Sequence, residues 1–434
     1  MNEFSSISFQ ASAAIQSYQN ERLKDLIQYL SINSKYYKKL FEQNNIDVKS
    51  IQTVEDLVKI PTTEKEDLQI FNTDFLCVPT TKIIEYTATS GTLGSPVTIA
   101  LTENDLKRLA YNEYCSFVCA DGSPLDIYQL MLTLDRQFMA GMAYYSGIRK
   151  LGAGVVRVGP GVPSLQWEVI ERIKPTAIVA VPSFIVKLIQ YAQEQGVNIN
   201  TSSVKKAICI GENIRNDDLS LNVLGEKIIN AWDIQLYSTY ASTEMQTAFT
   251  ECIAGKGGHL NPELLIVEIL DDEGKPVKDG QQGEVVITTL GIEGMPLLRY
   301  KTGDICKVYN SSCECGRNTI RLSPVLGRKK QMIKFKGTTL FAPALFEIIH
   351  KMDTIKEYIV EVSSNDIATD EVKLYLHTLD ATSENINKIR AYLQAKLRVM
   401  PHVEFVSQEE ILKLQFPEGV RKPIKFIDKR TQQN

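Results

Sequence analysis

Between residues 125 and 244, short apolar runs alternate with helix-patterned segments, and this alternation constrains the fold more than any other feature. Tyr128 to Leu134, Val155 to Val158, Ala177 to Val181, Ala207 to Ile210 and Leu236 to Tyr240 each read as a strand, and a helix spans Phe184 to about Gln195. Short buried strands separated by helices predict a mostly parallel α/β sheet. Polar clusters follow several strands: Pro182-Ser183, Gly211-Glu212-Asn213 and Ala241-Ser242-Thr243-Glu244. Ligands bind beyond the strand ends in such sheets.

The flanks read differently. Leu23, Leu26, Ile27 and Leu30, then Tyr36, Tyr37, Leu40 and Phe41, recur at helical spacing. Thr53 and the segment from Pro61 to Leu68 look like helix starts, and Thr102 with Asp105 caps a helix running to about Cys119. From about 260 the texture is β-rich, with strands at Leu264 to Leu270 and Gly283 to Thr289 around a turn at Asp271 to Gly274. After Gly327-Arg328 the chain restarts as a small α+β pattern. The predicted organisation is therefore a large N-terminal α/β domain over 1–328, with mostly parallel sheets and a β-rich subdomain, and a small α+β domain over 329–434. A net charge of −4 gives no reason to expect a nucleic-acid or anionic-membrane surface. The N-terminus lacks a signal-peptide pattern and no apolar run is long enough to span a bilayer, so a cytoplasmic protein is expected.

Four constellations carry chemistry. Glu85 to Val97 reads E-Y-T-A-T-S-G-T-L-G-S-P-V. Glycines let its backbone turn sharply, and its amides and hydroxyls suit an anion, so it reads as a phosphate loop or as an ordinary polar turn. It is not a Walker loop, since no Lys follows Gly94. Tyr240 to Glu244 offers an aromatic face for a base and a carboxylate for Mg²⁺, or else an N-capped helix start. Arg299-Tyr-Lys-Thr-Gly-Asp304 offers a carboxylate for ribose hydroxyls, or else a hairpin turn. Cys252, His259, Cys313 and Cys315 supply a Cys₃His set for structural Zn²⁺, although the spacing also fits two unrelated turns. Cys77, Cys115, Cys119, Cys209 and Cys306 sit in apolar patterns and are expected to be buried thiols. Lys422 lies in a basic tail that alone would read as a solvated charge run.

These pieces occur in one order, and that order resembles the phenylacetate–coenzyme A ligase family of the adenylate-forming superfamily. The resemblance begins at Asn33 to Phe41 and Pro61 to Leu68, and continues through T-S-G-T-L-G-S-P, G-E-N, Y-A-S-T-E, M-P-L-L-R-Y-K-T-G-D, C-E-C-G-R, G-R-K-K-Q-M-I-K-F-K-G and the tail F-I-D-K-R. It implies that a carboxylic acid attacks the α-phosphate of ATP, giving an acyl-adenylate and pyrophosphate. The mobile C-terminal domain then swings and the thiol of coenzyme A takes the acyl group. It further implies that Thr89, Ser90, Gly91, Thr92 and Gly94 hold the β- and γ-phosphates, and that Gly211, Glu212 and Asn213 line the adenine. Tyr240 would stack on the base, with Ala241 and Ser242 beside the nucleotide. Thr243 would touch the α-phosphate, Glu244 hold Mg²⁺, Asp304 bind the ribose, and Arg328 close the large domain near the nucleotide. Lys330 falls at the hinge, Gly337 near the pantetheine arm, and Lys422 at the catalytic lysine. By the same resemblance the Cys₃His set would hold one Zn²⁺.

Four positions depart from the family pattern. Ser95 replaces a lysine, Ala241 a glycine, Lys330 the hinge Asp, and Arg421 the glycine before the catalytic lysine. The segment Ala140 to Gly147, with Tyr144, Tyr145 and Gly147, is expected to line the acid pocket and to suit an aryl or medium apolar acid. The expected partners are a small carboxylic acid, ATP and coenzyme A, with neither nucleic acid nor membrane, and a homodimer fits the same picture. Two other readings remain open at this point: an enzyme that loads a carrier-protein thiol, and a nucleotide-binding protein that has lost catalysis.

Overall fold

The structure is a computed structural model, and it describes residues 6–89, 97–335, 338–364, 370–397, 400–417 and 423–430. The chain divides into two compact units, Met1–Val325 and Leu326–Asn434, so Arg328 falls in the second unit, just past the division.

In the first unit, β1 (Ile83–Ala88) and β2 (Thr98–Thr102) form an antiparallel pair. The central strands are β3 (Ile127–Leu130), β4 (Gly154–Arg157), β5 (Ala177–Ala180) and β6 (Lys206–Cys209), followed by β7 (Gln235–Ser242). They pair in parallel in the order β4-β3-β5-β6-β7. The A-I-V-A run of β5 is buried at every position because helices cover both faces of the sheet. Successive side chains point to opposite faces, so Ile178 and Ala180 join one core with Trp167, Leu188 and Trp232, while Ala177 and Val179 join another with Phe117, Tyr144 and Ile148.

The sheet then changes character. β7 turns back on β8 (Thr247–Thr250), and an antiparallel path continues through β9 (Gly258–His259), β10 (Leu265–Leu270), β11 (Gln282–Thr289), β12 (Tyr300–Tyr309) and β13 (Arg321–Leu322), with the order β8-β9-β13-β12-β11-β10. Two of the alternatives left open by the sequence fall away here. β7 runs on through Tyr240 to Ser242, and Thr243 to Gln246 form a hairpin turn rather than a helix start. Asp304 lies inside β12 rather than on a terminal hairpin.

The second unit holds a four-stranded sheet in the order 402–405, 370–378, 355–364, 426–428, with the two long strands antiparallel and the outer pairs parallel. Val360, Val362, Leu374 and Leu376 meet Leu345, Ile389 and Leu393 from the helices Ala342–His350 and Ser383–Lys396. No helix among the described residues is long and apolar enough to cross a membrane.

Candidate nucleotide site and metal cluster

The phosphate-loop reading falls mostly on residues 90–96, and Ser90, Gly91, Thr92 and Gly94 lie outside the described residues. Its neck is described. The Thr89 N–H donates to the Val97 carbonyl at 2.9 Å, and the Val97 N–H donates to Thr89 Oγ1 at 3.0 Å. These bonds close the loop on the end of the β1–β2 pair, which holds its two stems at a fixed separation. Gly337 and Lys422 also lie outside the described residues, as does the side chain of Lys330.

Gly211, Glu212 and Asn213 follow β6 on a turn that Gly211 makes possible with φ of +73°. Glu212 Oε2 accepts the Ser183 N–H at 2.9 Å, which links the turn after β6 to the helix start after β5. Asn213 Nδ2 donates to the Val325 carbonyl at 2.8 Å. The two polar clusters beyond neighbouring parallel strands thus form one connected rim, the position where ligands bind in this sheet type.

Tyr240 and Asp304 meet directly. The Tyr240 hydroxyl donates to Asp304 Oδ2 at 2.8 Å, and its ring stacks on Phe249 with centroids 5.9 Å apart. Burial, then the Asp304 carboxylate, hold the phenol well above its usual range, so it stays a donor. Asp304 reaches this place through a β-bulge. The register of β11 and β12 shifts between Glu284 and Val286, where Gly303 takes φ of +76°. Only glycine adopts that backbone freely, and the bulge re-aims the side chain that follows it.

The turn carrying Thr243 and Glu244 is anchored from behind. Ser242 Oγ accepts the Met245 N–H at 3.2 Å. Buried Arg108, on the helix Glu103–Cys119, donates from Nη1 to the Gln246 carbonyl at 2.8 Å, and from Nη2 to Thr247 Oγ1 at 3.2 Å and the Leu264 carbonyl at 2.5 Å. Its Nε donates to the Leu290 carbonyl at 2.6 Å. Asn112 Oδ1, one helical turn on, accepts the Ala248 N–H at 3.1 Å. The helix is therefore fastened along β8. Sequence reading missed Arg108 and Asn112; their signal is a polar i, i+4 pair on the apolar face of a capped helix.

Tyr144 and Gly147 occupy packed positions. Tyr144 is buried against Phe117, and a Cβ at Gly147 would lie 2.3 Å from Glu113 Cβ, so the glycine lets two helices touch. Tyr145 takes Arg149 and Arg157 over its ring. A cavity lies instead beside Met139, Met142, Ala143 and Ser146 of the same helix, closed by Glu85, Leu106 and Leu109.

Cys252, His259, Cys313 and Cys315 converge, with one ligand atom from each lying within 4.8 Å of the others. Cys252 Sγ and Cys313 Sγ are 3.6 Å apart, and Cys315 Sγ lies 3.5 Å from His259 Nε2. A tetrahedron with Zn–S bonds of about 2.3 Å has S···S edges of about 3.8 Å, so the set fits zinc. His259 Nδ1 faces Thr319 Oγ1 at 3.0 Å, which orients the ring with Nε2 towards the sulfurs. Burial, then Arg317 and Arg321, depress the imidazole to about 3, which keeps it neutral as a ligand must be. Thr319 was not legible as an orienting partner from sequence. The cysteines outside the cluster are buried, as their apolar settings imply.

The parallel sheet thus carries a connected polar rim, with a tyrosine and a carboxylate meeting beside it, at the strand ends where ligands bind in α/β folds. The chain belongs to the AMP-binding enzyme family, whose match covers residues 51–293, more than half of its length. It is 28% identical to the phenylacetate–coenzyme A ligase of Thermus thermophilus over 369 residues, covering 83% of this chain and 80% of that one. It is 26% identical to the phenylacetate–coenzyme A ligase of Escherichia coli over 400 residues, covering 89% and 88%. Its fold is similar to that of a 2-hydroxyisobutyryl-CoA ligase crystallised with an acyl-adenylate in the postadenylation state, with a TM-score of 0.82, 20% identity, and coverage of 98% of this chain and 91% of that one.

Proposed function

We infer that this chain is an ATP-dependent carboxylic acid–coenzyme A ligase that forms an acyl-adenylate and then a thioester, releasing AMP and pyrophosphate. The observation that carries the reading is the Tyr240–Asp304 pair at the rim of the parallel sheet, in a chain whose relatives are phenylacetate–coenzyme A ligases. Tyr240 offers a ring for adenine, with Ala241 and Ser242 along the same strand, and Asp304 a carboxylate for the ribose hydroxyls. Gly211 to Asn213 form the base-side wall. Thr89 to Gly94 hold the outer phosphates.

Adenylation builds negative charge at the α-phosphorus. Thr243 donates a hydroxyl there, and Lys422 brings a positive charge from the tail. Glu244 would hold Mg²⁺, which supplies further charge neutralisation when bound. Preorganised charges of this kind are each worth about 10²–10³ in rate. Thiol attack then uses a second arrangement of the two units, with Arg328 and Lys330 at the junction and Gly337 beside the pantetheine arm. The Cys₃His cluster would hold a structural Zn²⁺ that ties β8 to the hairpin at Cys313–Cys315. The acid would enter beside Met139, Met142 and Ala143. A carrier-protein thiol in place of coenzyme A remains the second reading, because no described residue distinguishes the two acceptors. The test is acid-dependent pyrophosphate release across a panel of acids, followed by thioester formation with coenzyme A. Release with no acid in the panel would refute the reading.

A further inference from the structure

The cavity between the helices Glu103–Cys119 and Met139–Leu151 has a carboxyl group in an otherwise apolar lining. Leu106, Leu109, Met139, Met142 and Ala143 make its walls, and Glu85 and Ser146 are the two polar side chains that line it. Met139, Met142, Ala143 and Ser146 recur at i, i+3, i+4 and i+7, so they share one face of their helix. Glu85 comes from β1. That strand is fixed against the helix, because the Ala88 N–H donates to the Gln137 carbonyl at 3.1 Å, two residues before the helix starts. Glu85 is half-buried, and its carboxyl has neither a hydrogen bond nor an ion pair among the described residues. Burial raises that carboxyl above its usual range, and no cation among the described residues opposes the shift. An ionisable group against apolar walls is costly unless something pairs with it.

We propose that Glu85 is a specificity group of the acid pocket, and that the acid has an apolar body with a hydrogen-bond donor, a hydroxyl or an amino group, remote from its carboxyl. This rests on the ligase reading above, which brings the acid into this cavity. Apolar pockets fix the orientation of a ligand with a small number of polar groups. Here the apolar walls take the body of the acid and Glu85 takes its donor. An ionised carboxylate only accepts, so it selects a donor, whereas the Ser146 hydroxyl accepts and donates and sets no such preference. The position of the donor follows from β1. Glu85 lies four residues before Thr89 at the neck of the phosphate loop, and four residues of strand span about 13 Å. The reacting carboxyl faces the phosphates, so the donor belongs at the opposite end of the acid. A wholly apolar acid, as expected from sequence, would strip water from Glu85 and return no partner. A site built to pair a polar group discriminates strongly against the analogue that lacks it.

The experiment uses pairs of acids of matched shape, one with a hydroxyl or amino group where the other has a methyl, at the end remote from the carboxyl. It reads kcat/KM for acid-dependent pyrophosphate release in the wild type, in Glu85→Leu and in Glu85→Gln. The ratio within each pair is compared, so any loss of folded protein in a variant cancels. The wild type should favour the donor-bearing member of at least one pair by about 10² or more, and Glu85→Leu should cut that preference to within about threefold. Glu85→Gln keeps the shape and an acceptor oxygen but loses the charge, so it should lower any preference for an amino member by about tenfold or more. A ratio unaltered in Glu85→Leu overturns the proposal and leaves the ligase reading intact. A wild type that favours the methyl member of every pair overturns it without reference to any variant. A wild type that releases no pyrophosphate with any acid overturns the ligase reading and this inference together.

Discussion

Asp304 owes its place to one glycine. Gly303 at φ of +76° makes the bulge that sets the carboxylate against the Tyr240 hydroxyl. Asp304→Ala should weaken AMP and ATP binding by roughly 2–3 kcal/mol, the worth of charge-assisted bonds to the ribose hydroxyls. Calorimetry showing unchanged affinity would remove the ribose assignment. The T-G-D spelling made the carboxylate legible in sequence. It did not show that the residue lies within a strand, because a bulge depends on the register with β11, which is set by residues far along the chain. Glu113 was illegible for a similar reason: its burial depends on Gly147 in another helix. Burial pushes its carboxyl up from 4.5 to about 8, against the smaller opposing effect of the hydrogen bond from Asn112. Between those two values the folded state keeps a proton that the unfolded chain has released, so this group's contribution to stability falls as pH rises. Glu113→Gln should therefore flatten the fall in urea midpoint between pH 5 and pH 8 and leave the variant the more stable at the upper end. A wild type whose midpoint does not fall over that range would show that Glu113 is charged when folded.

The β7–β8 hairpin joins both centres. Its turn holds Thr243 and Glu244, and β8 leads within two residues to Cys252 of the metal cluster. Arg108 and Asn112 fasten it from the helix Glu103–Cys119. Sequence periodicity gave that helix and its Thr102–Asp105 cap, which the structure contains as a capping box. The hairpin was hidden because Y-A-S-T-E has the composition of a helix cap, and only the partner strand decides between the two. Arg108→Lys keeps the charge but cannot reach four acceptors at once, so it should slow adenylation about tenfold or more while AMP affinity stays within about twofold. Equal losses in both quantities would point to general unfolding. The metal cluster should act on stability more than on chemistry. Purified protein should carry one equivalent of zinc, and Cys315→Ser should lower the thermal midpoint while the folded protein retains most of its turnover. Less than about half an equivalent on metal analysis would sink the zinc assignment.

At the scale of the whole chain, the structure divides into two compact units, Met1–Val325 and Leu326–Asn434. The α/β class followed from the spacing of apolar runs, since each central strand needs cover on both faces and the helices between them supply it. The role proposed for the tail rests on the family resemblance alone, because R-K-P-I-K by itself has the texture of a solvated surface. Lys422 is therefore where the account is most exposed. Lys422→Ala should cut acid-dependent pyrophosphate release by about 10² or more, because the α-phosphate loses its cationic partner. Supplied with synthetic acyl-adenylate and coenzyme A, the same variant should form thioester at near the wild-type rate, since the role proposed for Lys422 is confined to the first half-reaction. Full adenylation in the variant, or equal damage to both half-reactions, would contradict the account, and the second result would turn attention to Lys425.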